Sequence, residues 1–156
     1  MFAYIPARAG SKRIPRKNIR KLGDKPVILH VIETLKRVKD LTGIAVSSDD
    51  TEIIEIIRAH GVAETLELRD AALADDDATF LDLARGDAPR YASHFDDQDM
   101  LLITATAALI QVKHIEQAWK ILLTQPSGLV LGVTEYSMSP ALALEGSPEN
   151  GLSPLF

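Results

Sequence analysis

Short apolar runs alternate with amphipathic stretches along this chain of 156 residues. The runs Phe2 to Pro6 and Ile44 to Ser48 are typical of buried strands, because each is short and rich in apolar, β-branched or aromatic residues. Apolar residues at helical spacing follow each run, from Pro26 onward and again from Ile53 to Arg58. The alternation predicts strand–helix units whose strands are parallel and whose crossovers are right-handed.

The same alternation continues through the rest of the chain. A third strand is predicted within Val62 to Leu68 and a fourth at Met100 to Ile103. The stretch Ala78 to Tyr91 is predicted to form one helix or a helical hairpin, since Gly86 and Pro89 can interrupt it. The remaining predicted elements are a helix containing Ile115 to Leu123, a strand at Leu129 to Thr134 and a weaker strand at Ala141 to Leu144.

An α/β fold follows from these elements. We predict an open, mostly parallel sheet of about six strands with helices on both faces, a three-layer αβα arrangement. Ligands of such sheets bind beyond the carboxyl ends of the strands. The loops after Pro6, Ser48 and Ile103 are therefore expected to share one edge and to form the site. Asp50 is predicted to cap the helix that opens at Thr51.

Composition is that of a soluble globular protein. Hydrophobic residues make up 46% and charged residues 25% of the chain, which predicts a single domain over residues 1–156. Cysteine is absent, so disulfides, thiolate catalysis and cysteine–zinc sites are excluded. The N-terminal residues lack the pattern of a secretory leader, and no run approaches the ~20 apolar residues of a membrane helix. These features predict cytoplasmic residence without a membrane partner.

Charge is distributed unevenly. The net charge of −5 argues against a general nucleic-acid binder. Between Arg8 and Lys25, however, eight lysines and arginines stand against the single acid Asp24. A basic run is often only a solvated loop, but its position directly after the first strand favours anion binding. The downstream run Asp75 to Asp77 is interpreted as a solvated loop rather than as a metal site.

The loop from Arg8 to Arg13 has the groups that a triphosphate requires. Gly10 permits close approach of the backbone, Ser11 adds a hydroxyl, and three cations offset negative charge. Neither a Walker A motif nor Gly-x-Gly-x-x-Gly occurs, which argues against a P-loop NTPase and a Rossmann dehydrogenase. The histidines are scattered and no nucleophile-elbow motif is present, so hydrolase chemistry is not supported.

The segment Ile5 to Ile19, Ile-Pro-Ala-Arg-Ala-Gly-Ser-Lys-Arg-Ile-Pro-Arg-Lys-Asn-Ile, resembles the N-terminal signature of the acylneuraminate cytidylyltransferase family. Segments Gly23 to Ile28, Ala45 to Ile53 and Leu68 to Asp76 continue the resemblance, and Thr104 to Gln111 is most similar to the pseudaminic acid enzymes. The resemblance implies a nucleotide-diphospho-sugar transferase-like fold and homodimers. It also implies Mg2+-dependent transfer of CMP from CTP to a nonulosonic acid, pseudaminic or N-acylneuraminic, with release of pyrophosphate.

The resemblance further implies roles for individual residues. Arg8 and Lys17 would be catalytic, neutralising charge on the α-phosphate and on the leaving pyrophosphate. A second group would bind the nucleotide. Its implied members are Ala9, Gly10 and Ser11 as backbone and hydroxyl donors, Lys12 at a phosphate, Asn18 and Arg69 at the nucleoside, and Ala7, Thr104 and Thr106.

Three departures keep alternatives open. The family's C-terminal part, with its sugar-binding and dimer-forming insertion and two metal-binding aspartates, has no counterpart here, so the metal ligands stay unknown. Thr104 and Ala108 differ from the residues usual in the family, and Ile103 to Thr106 would also suit a strand end packed against a helix. The alternative functions are a non-catalytic CTP-binding remnant and a nucleotidyltransferase for another acidic sugar.

Overall fold

The computed structural model describes residues 1–11, 14–61, 65–69, 79–124, 128–135, 144–147 and 151–154. These residues belong to two compact units, Met1–Gln117 and Ala118–Phe156. Several residues singled out from the sequence lie outside the described ranges. They are Lys12 and Arg13, 62–64 of the third predicted strand, Asp75 to Asp77, and 141–143 of the last predicted strand.

The first unit is organised around a four-stranded parallel sheet. In chain order the strands of this unit are β1 (Phe2–Pro6), the short β2 (Lys21–Leu22) and β3 (Lys25–Pro26), then β4 (Ile44–Ser48), β5 (Thr65–Leu68) and β6 (Met100–Leu102). The sheet order is β5-β4-β1-β6, while β2 and β3 form a separate antiparallel pair. The four strands predicted in this part of the chain are thus confirmed, and all four are parallel.

The described residues form four α-helices, namely α1 (Val27–Leu35), α2 (Thr51–Ala59), α3 (Phe80–Phe95) and α4 (Val112–Leu123), and a short 3-10 helix at Lys17–Ile19. The predicted cap of α2 is confirmed, because Asp50 Oδ1 accepts the N–H of Glu52 at 2.9 Å. α3 is one continuous helix with Pro89 inside it. It continues past the proline because Leu83 and Tyr91, on either side, are both buried in one apolar cluster. None of the helices in the described ranges is long and apolar enough to cross a membrane.

Both faces of β1 are covered. Phe2 and Tyr4 face α3. The ring of Phe2 stacks on Phe95 with centroids 5.6 Å apart, and the ring of Tyr4 is tilted against Tyr91 with centroids 5.5 Å apart. Side chains alternate along a strand, so Ala3 and Ile5 line the other face, where they are also fully buried.

The crossovers between parallel strands run in both directions across the sheet. Crossovers β1–α1–β4 and β4–α2–β5 run in one direction, and β5–α3–β6 returns in the other. Right-handed crossovers in opposite directions place helices on opposite faces, which confirms the three-layer α/β prediction.

The second unit contains a hairpin of β7 (Leu144–Ser147) and β8 (Gly151–Pro154). The predicted strand at Leu129 to Thr134 is wrong, because residues 128–135 are irregular. Leu129, Leu131 and Val133 are 80%, 67% and 90% exposed. Alternating apolar residues favour a strand, but a strand also needs a hydrogen-bonded neighbour. No described residue pairs with this segment, so four strands of the predicted six form the described sheet.

Candidate functional site

The carboxyl ends of the parallel strands bring four loops to one edge of the first unit. Ala7 follows β1, Asp49 follows β4, Arg69 follows β5 and Ile103 follows β6. β4 and β6 flank β1 on opposite sides, so the connections diverge next to the end of β1. Such a switch point is where open α/β sheets bind their ligands. The predicted convergence of the loops after Pro6, Ser48 and Ile103 is therefore confirmed.

Two buried serines fix the point at which the basic loop, Arg8 to Lys17, leaves β1. The N–H of Ala7 donates to Ser47 O at 2.9 Å. The Ser48 hydroxyl donates to Ala7 O at 2.5 Å and accepts the N–H of Asp50 at 3.1 Å. Ser47 and Ser48 have no exposed surface. Because buried polar groups are costly unless they are paired, these bonds hold the loop in one position.

Two carboxylates near the start of α2 contact the basic loop further along. Asp49, which precedes the helix, accepts the N–H of Ala9 through Oδ1 at 2.7 Å. Glu52, in the first turn of α2, forms an ion pair with Arg16, and its hydrogen bond to the guanidinium raises the pKa of Arg16. Arg16 has a left-handed backbone with φ of 55°, and its carbonyl accepts the N–H of Arg20 at 2.9 Å. Both ends of the segment from Ala9 to Arg16 are thus attached to acidic residues at the start of α2.

Asn18 and Arg69 are buried and hydrogen-bonded to main-chain oxygens at this edge. Asn18 Nδ2 donates to Arg8 O at 2.8 Å. Arg69 Nε donates to the Ser47 hydroxyl at 3.0 Å and Nη2 donates to Ser47 O at 2.8 Å. The backbone N–H of Arg69 also donates to Ser48 O at 2.6 Å. Both side chains therefore shape the edge, and their predicted contacts with a nucleoside stay predictions.

The other site residues divide by exposure. Arg8 and Ser11 are half-buried, whereas Gly10 and Lys17 are exposed. A Cβ atom built on Gly10 would meet no other atom within 4 Å, so the backbone faces open space at this residue. Thr104 and Thr106 are exposed on the loop after β6, on either side of the buried Ala105. The structure thus places these residues in two loops at one edge, and their individual roles stay predictions.

Metal ligands are not found among the described residues. No group of three or more histidine, aspartate or glutamate side chains in those ranges could hold a metal ion. Asp49 and Asp50 each use a carboxylate oxygen to accept a backbone N–H. No chemical step is therefore assigned through a metal ion.

A polar cleft of about 500 Å³ lies between α1 and the segment before α4. Its polar side chains already bond within the protein. His30 Nε2 lies 2.8 Å from Leu22 O, and Arg37 Nη2 donates to the Thr34 hydroxyl at 3.2 Å. Glu33 forms an ion pair with Lys25. These contacts stabilise the surroundings of the cleft.

Sequence reasoning missed the residues that fix the loop, namely Ser47, Ser48 and Asp49. The apolar pattern predicts the two serines only as strand residues, and for Asp49 and Asp50 it favours a helix cap over a contact with the loop. A usable signal was present, since two hydroxyls end an otherwise apolar strand at the edge where ligands bind. Polar residues at that place have main-chain atoms of the neighbouring loop within reach.

The sequence of this chain is similar to sequences of known cytidylyltransferases. A family model described as cytidylyltransferase matches residues 2–142. Pseudaminic acid cytidylyltransferase of Campylobacter jejuni (strain 81-176) is 35% identical over 136 residues, which cover 86% of this chain and 58% of that protein. N-acylneuraminate cytidylyltransferase of Streptococcus agalactiae serotype V is 31% identical over 143 residues, covering 90% of this chain and 33% of that protein. The chain thus spans little more than half the length of the first relative.

Solved structures support the fold. CMP:2-keto-3-deoxy-manno-octonic acid synthetase complexed with CTP has a TM-score of 0.66 at 21% identity, covering 81% of this chain and 48% of that one. A cytidylyltransferase from Leptospira borgpetersenii has a TM-score of 0.61 at 23% identity, covering 80% of this chain and 49% of that one. At this identity the likeness concerns the fold alone, and it agrees with the three-layer arrangement described above.

Proposed function

The chain belongs to the cytidylyltransferase family, and on that premise we propose that it transfers CMP from CTP to a nonulosonic acid, releasing pyrophosphate. The observation that carries the proposal is the basic loop that leaves the central strand β1 at the switch point of the sheet. Relatives named for pseudaminic and N-acylneuraminic acids support these two sugars as candidate acceptors.

The proposed reaction is a displacement at the α-phosphorus of CTP. The anomeric oxygen of the sugar forms a bond to the α-phosphorus and its proton passes to water, while the bond from that phosphorus to the bridging oxygen breaks and pyrophosphate leaves with the electron pair. Arg8 and Lys17 would stabilise the negative charge that develops on the α-phosphate and pyrophosphate oxygens. The exposed Gly10 leaves room for the phosphates beside the loop, where Ser11 and Lys12 would add donors.

The rest of the proposed site lies around this loop. Asn18 and Arg69 would contact the nucleoside from buried positions, and Thr104 and Thr106 would approach it from the loop after β6. Mg2+ is the proposed cofactor and would offset phosphate charge when bound. The chain's own contribution is to bind and orient CTP. A homodimer is also proposed, and sedimentation velocity with and without CTP tests it.

Calorimetry followed by a product assay tests the function. CTP is titrated into the protein with and without Mg2+, with UTP as the control nucleotide. Pyrophosphate release is then measured in the same sample after addition of pseudaminic acid or N-acylneuraminic acid. We expect selective CTP binding and release of pyrophosphate with one of the two sugars. Absence of CTP binding would contradict the proposal.

The second candidate is a CTP-binding protein without transferase activity. It is favoured by one observation, namely that no group of three or more histidine, aspartate or glutamate side chains among the described residues could hold a metal ion. CTP binding without pyrophosphate release, for these sugars and for an octulosonic acid, would support it. Release with the octulosonic acid alone would instead indicate a nucleotidyltransferase for another acidic sugar.

A further inference from the structure

We propose that Asp49 is a positioning residue, whose carboxylate fixes the start of the loop that binds the phosphates of CTP. The inference rests on the proposed function for the identity of the ligand. Its geometric basis is independent of that function, because Asp49 Oδ1 accepts the N–H of Ala9 at 2.7 Å across the end of the sheet.

The bond continues the β1–β4 ladder beyond the last paired residues. The N–H of Ala3 donates to Gly43 O, and the N–H of Ala7 donates to Ser47 O, both at 2.9 Å. In each pair the acceptor lies 40 positions after the donor, and the same separation holds for Ala9 and Asp49. At this last step a side-chain oxygen replaces the main-chain carbonyl. Asp49 therefore keeps the backbone at Ala9 in line with the strand.

The neighbouring polar residues have different partners. Ser48 bonds to Ala7 O, and Asp50 accepts the N–H of Glu52 as the cap of α2. Of these side chains, only that of Asp49 contacts the loop beyond Arg8. A hydrogen bond to a carboxylate is also stronger than one between neutral groups. Asp49 is thus suited to hold the loop, while Asp50 serves the helix.

This assignment changes how the loop would meet a triphosphate. The N–H of Ala9, which the family resemblance implies as a donor to the nucleotide, is engaged by Asp49. Donors to phosphate would then come from the next residues, Gly10 and Ser11, and from the cations. Gly10 is exposed with open space where a Cβ would lie, so a phosphate can approach its backbone. Asp49 would act through this placement without touching the ligand.

Substitutions at two adjacent aspartates test the inference. Asp49→Ala removes the acceptor, whereas Asp49→Asn keeps a side-chain oxygen that can accept the same N–H. Asp50→Ala is the matched control, since it makes the same change in charge one residue away and removes the helix cap, while the acceptor of the Ala9 N–H stays in place. CTP affinity is measured by calorimetry, and thermal unfolding is recorded for each variant.

We expect Asp49→Ala to weaken CTP binding about tenfold, which corresponds to loss of one modest interaction. Asp49→Asn and Asp50→Ala should stay within about threefold of the wild type. CTP binding by Asp49→Ala at or above wild-type affinity would overturn the inference and would indicate that Asp49 competes with phosphate. An equal loss in Asp50→Ala would overturn it as well.

Amide hydrogen exchange gives a readout that needs no variant. In the wild-type protein without nucleotide, the amide of Ala9 should exchange slowly although the residue is exposed. Fast exchange at Ala9 would overturn the inference even if Asp49→Ala failed to fold. If the wild type bound no CTP, the proposed function would fail, whereas slow exchange at Ala9 would still support its anchoring by Asp49.

Discussion

The two edges of the parallel sheet use their polar groups differently. At the amino edge, one carboxylate joins the starts of three strands. Asp97 pairs with the Met1 ammonium at 2.7 Å before β1, accepts from the Thr42 hydroxyl at 2.9 Å before β4, and accepts the N–H of Asp99 at 3.0 Å before β6. The Asp97 side chain is only 13% exposed. All three of these partners of the Asp97 carboxylate are groups of the protein itself.

At the carboxyl edge the fixed part is interrupted. Ser48 and Asp49 hold the chain as far as Ala9 and Glu52 pairs with Arg16, whereas Gly10 and Lys17 are exposed. One sheet thus has an edge at which a carboxylate bonds only within the protein and an edge at which part of a basic loop is presented to solvent. The contrast predicts that substitutions at the amino edge change stability, and that those in the basic loop change ligand binding and turnover.

The largest expected effect is on turnover, for Arg8→Ala at the carboxyl edge. Loss of a cation that stabilises developing phosphate charge should slow pyrophosphate release about 100- to 1000-fold. Arg58→Ala removes the same charge from an exposed residue of α2, outside the basic segment, and should leave the rate unchanged. An assay of pyrophosphate release on both variants decides this, and equal rates would exclude the role assigned to Arg8.

The next effect is on stability, for Asp97→Ala at the amino edge. Removing a mostly buried carboxylate that accepts from three donors should lower the free energy of unfolding by about 3 kcal/mol. Asp99→Ala, which truncates an exposed carboxylate, should change it by less than about 0.5 kcal/mol. Urea titration measures both. A loss of CTP affinity in folded Asp97→Ala would contradict the prediction that substitutions at the amino edge change stability and not ligand binding.

A smaller effect on stability is expected for Ser48→Ala, because Ser48 both stabilises the fold and fixes the start of the basic loop. The substitution leaves Ala7 O and the N–H of Asp50 without their hydroxyl partner. We expect a loss of about 1–2 kcal/mol, against less than about 0.5 kcal/mol for Thr104→Ala at an exposed residue of the same edge. Equal unfolding free energies for the two variants would show that the hydroxyl of Ser48 does not fix the loop.

The smallest effect is a pH dependence that reports on the amino edge. Burial alone would raise the pKa of Asp97, but its hydrogen bonds to the N-terminal ammonium, Asp99 and Thr42 lower it overall. Its contribution to stability is therefore fully present above the usual carboxyl pKa of about 3.9, and it is lost as the pH falls through the lower folded value. The unfolding free energies of wild type and Asp97→Asn should converge in acid, and a constant difference would contradict this.

Much of the first unit could be predicted because its signals are local. The bounds of β1 and β4 follow from apolar runs, and the cap at Asp50 follows from a short motif. The bond from Asp49 to Ala9 could not be predicted in the same way, because its partners are 40 positions apart. The segment Leu129 to Thr134 shows that a local pattern alone can also predict a strand that does not form. Its alternation indicates which side chains could be buried, but it does not say what would cover them.

The strand order of the sheet also bears on how the protein is made. Phe2 pairs with Met100, so β1 and its partner β6 are separated by nearly a hundred residues of synthesis. At about 5–20 residues per second, the ribosome needs roughly 5–20 s to deliver β6 after β1. During that interval one side of β1, four of whose five residues are buried in the finished fold, has no native partner. An apolar strand edge at the amino end is therefore left open on the nascent chain until β6 is made.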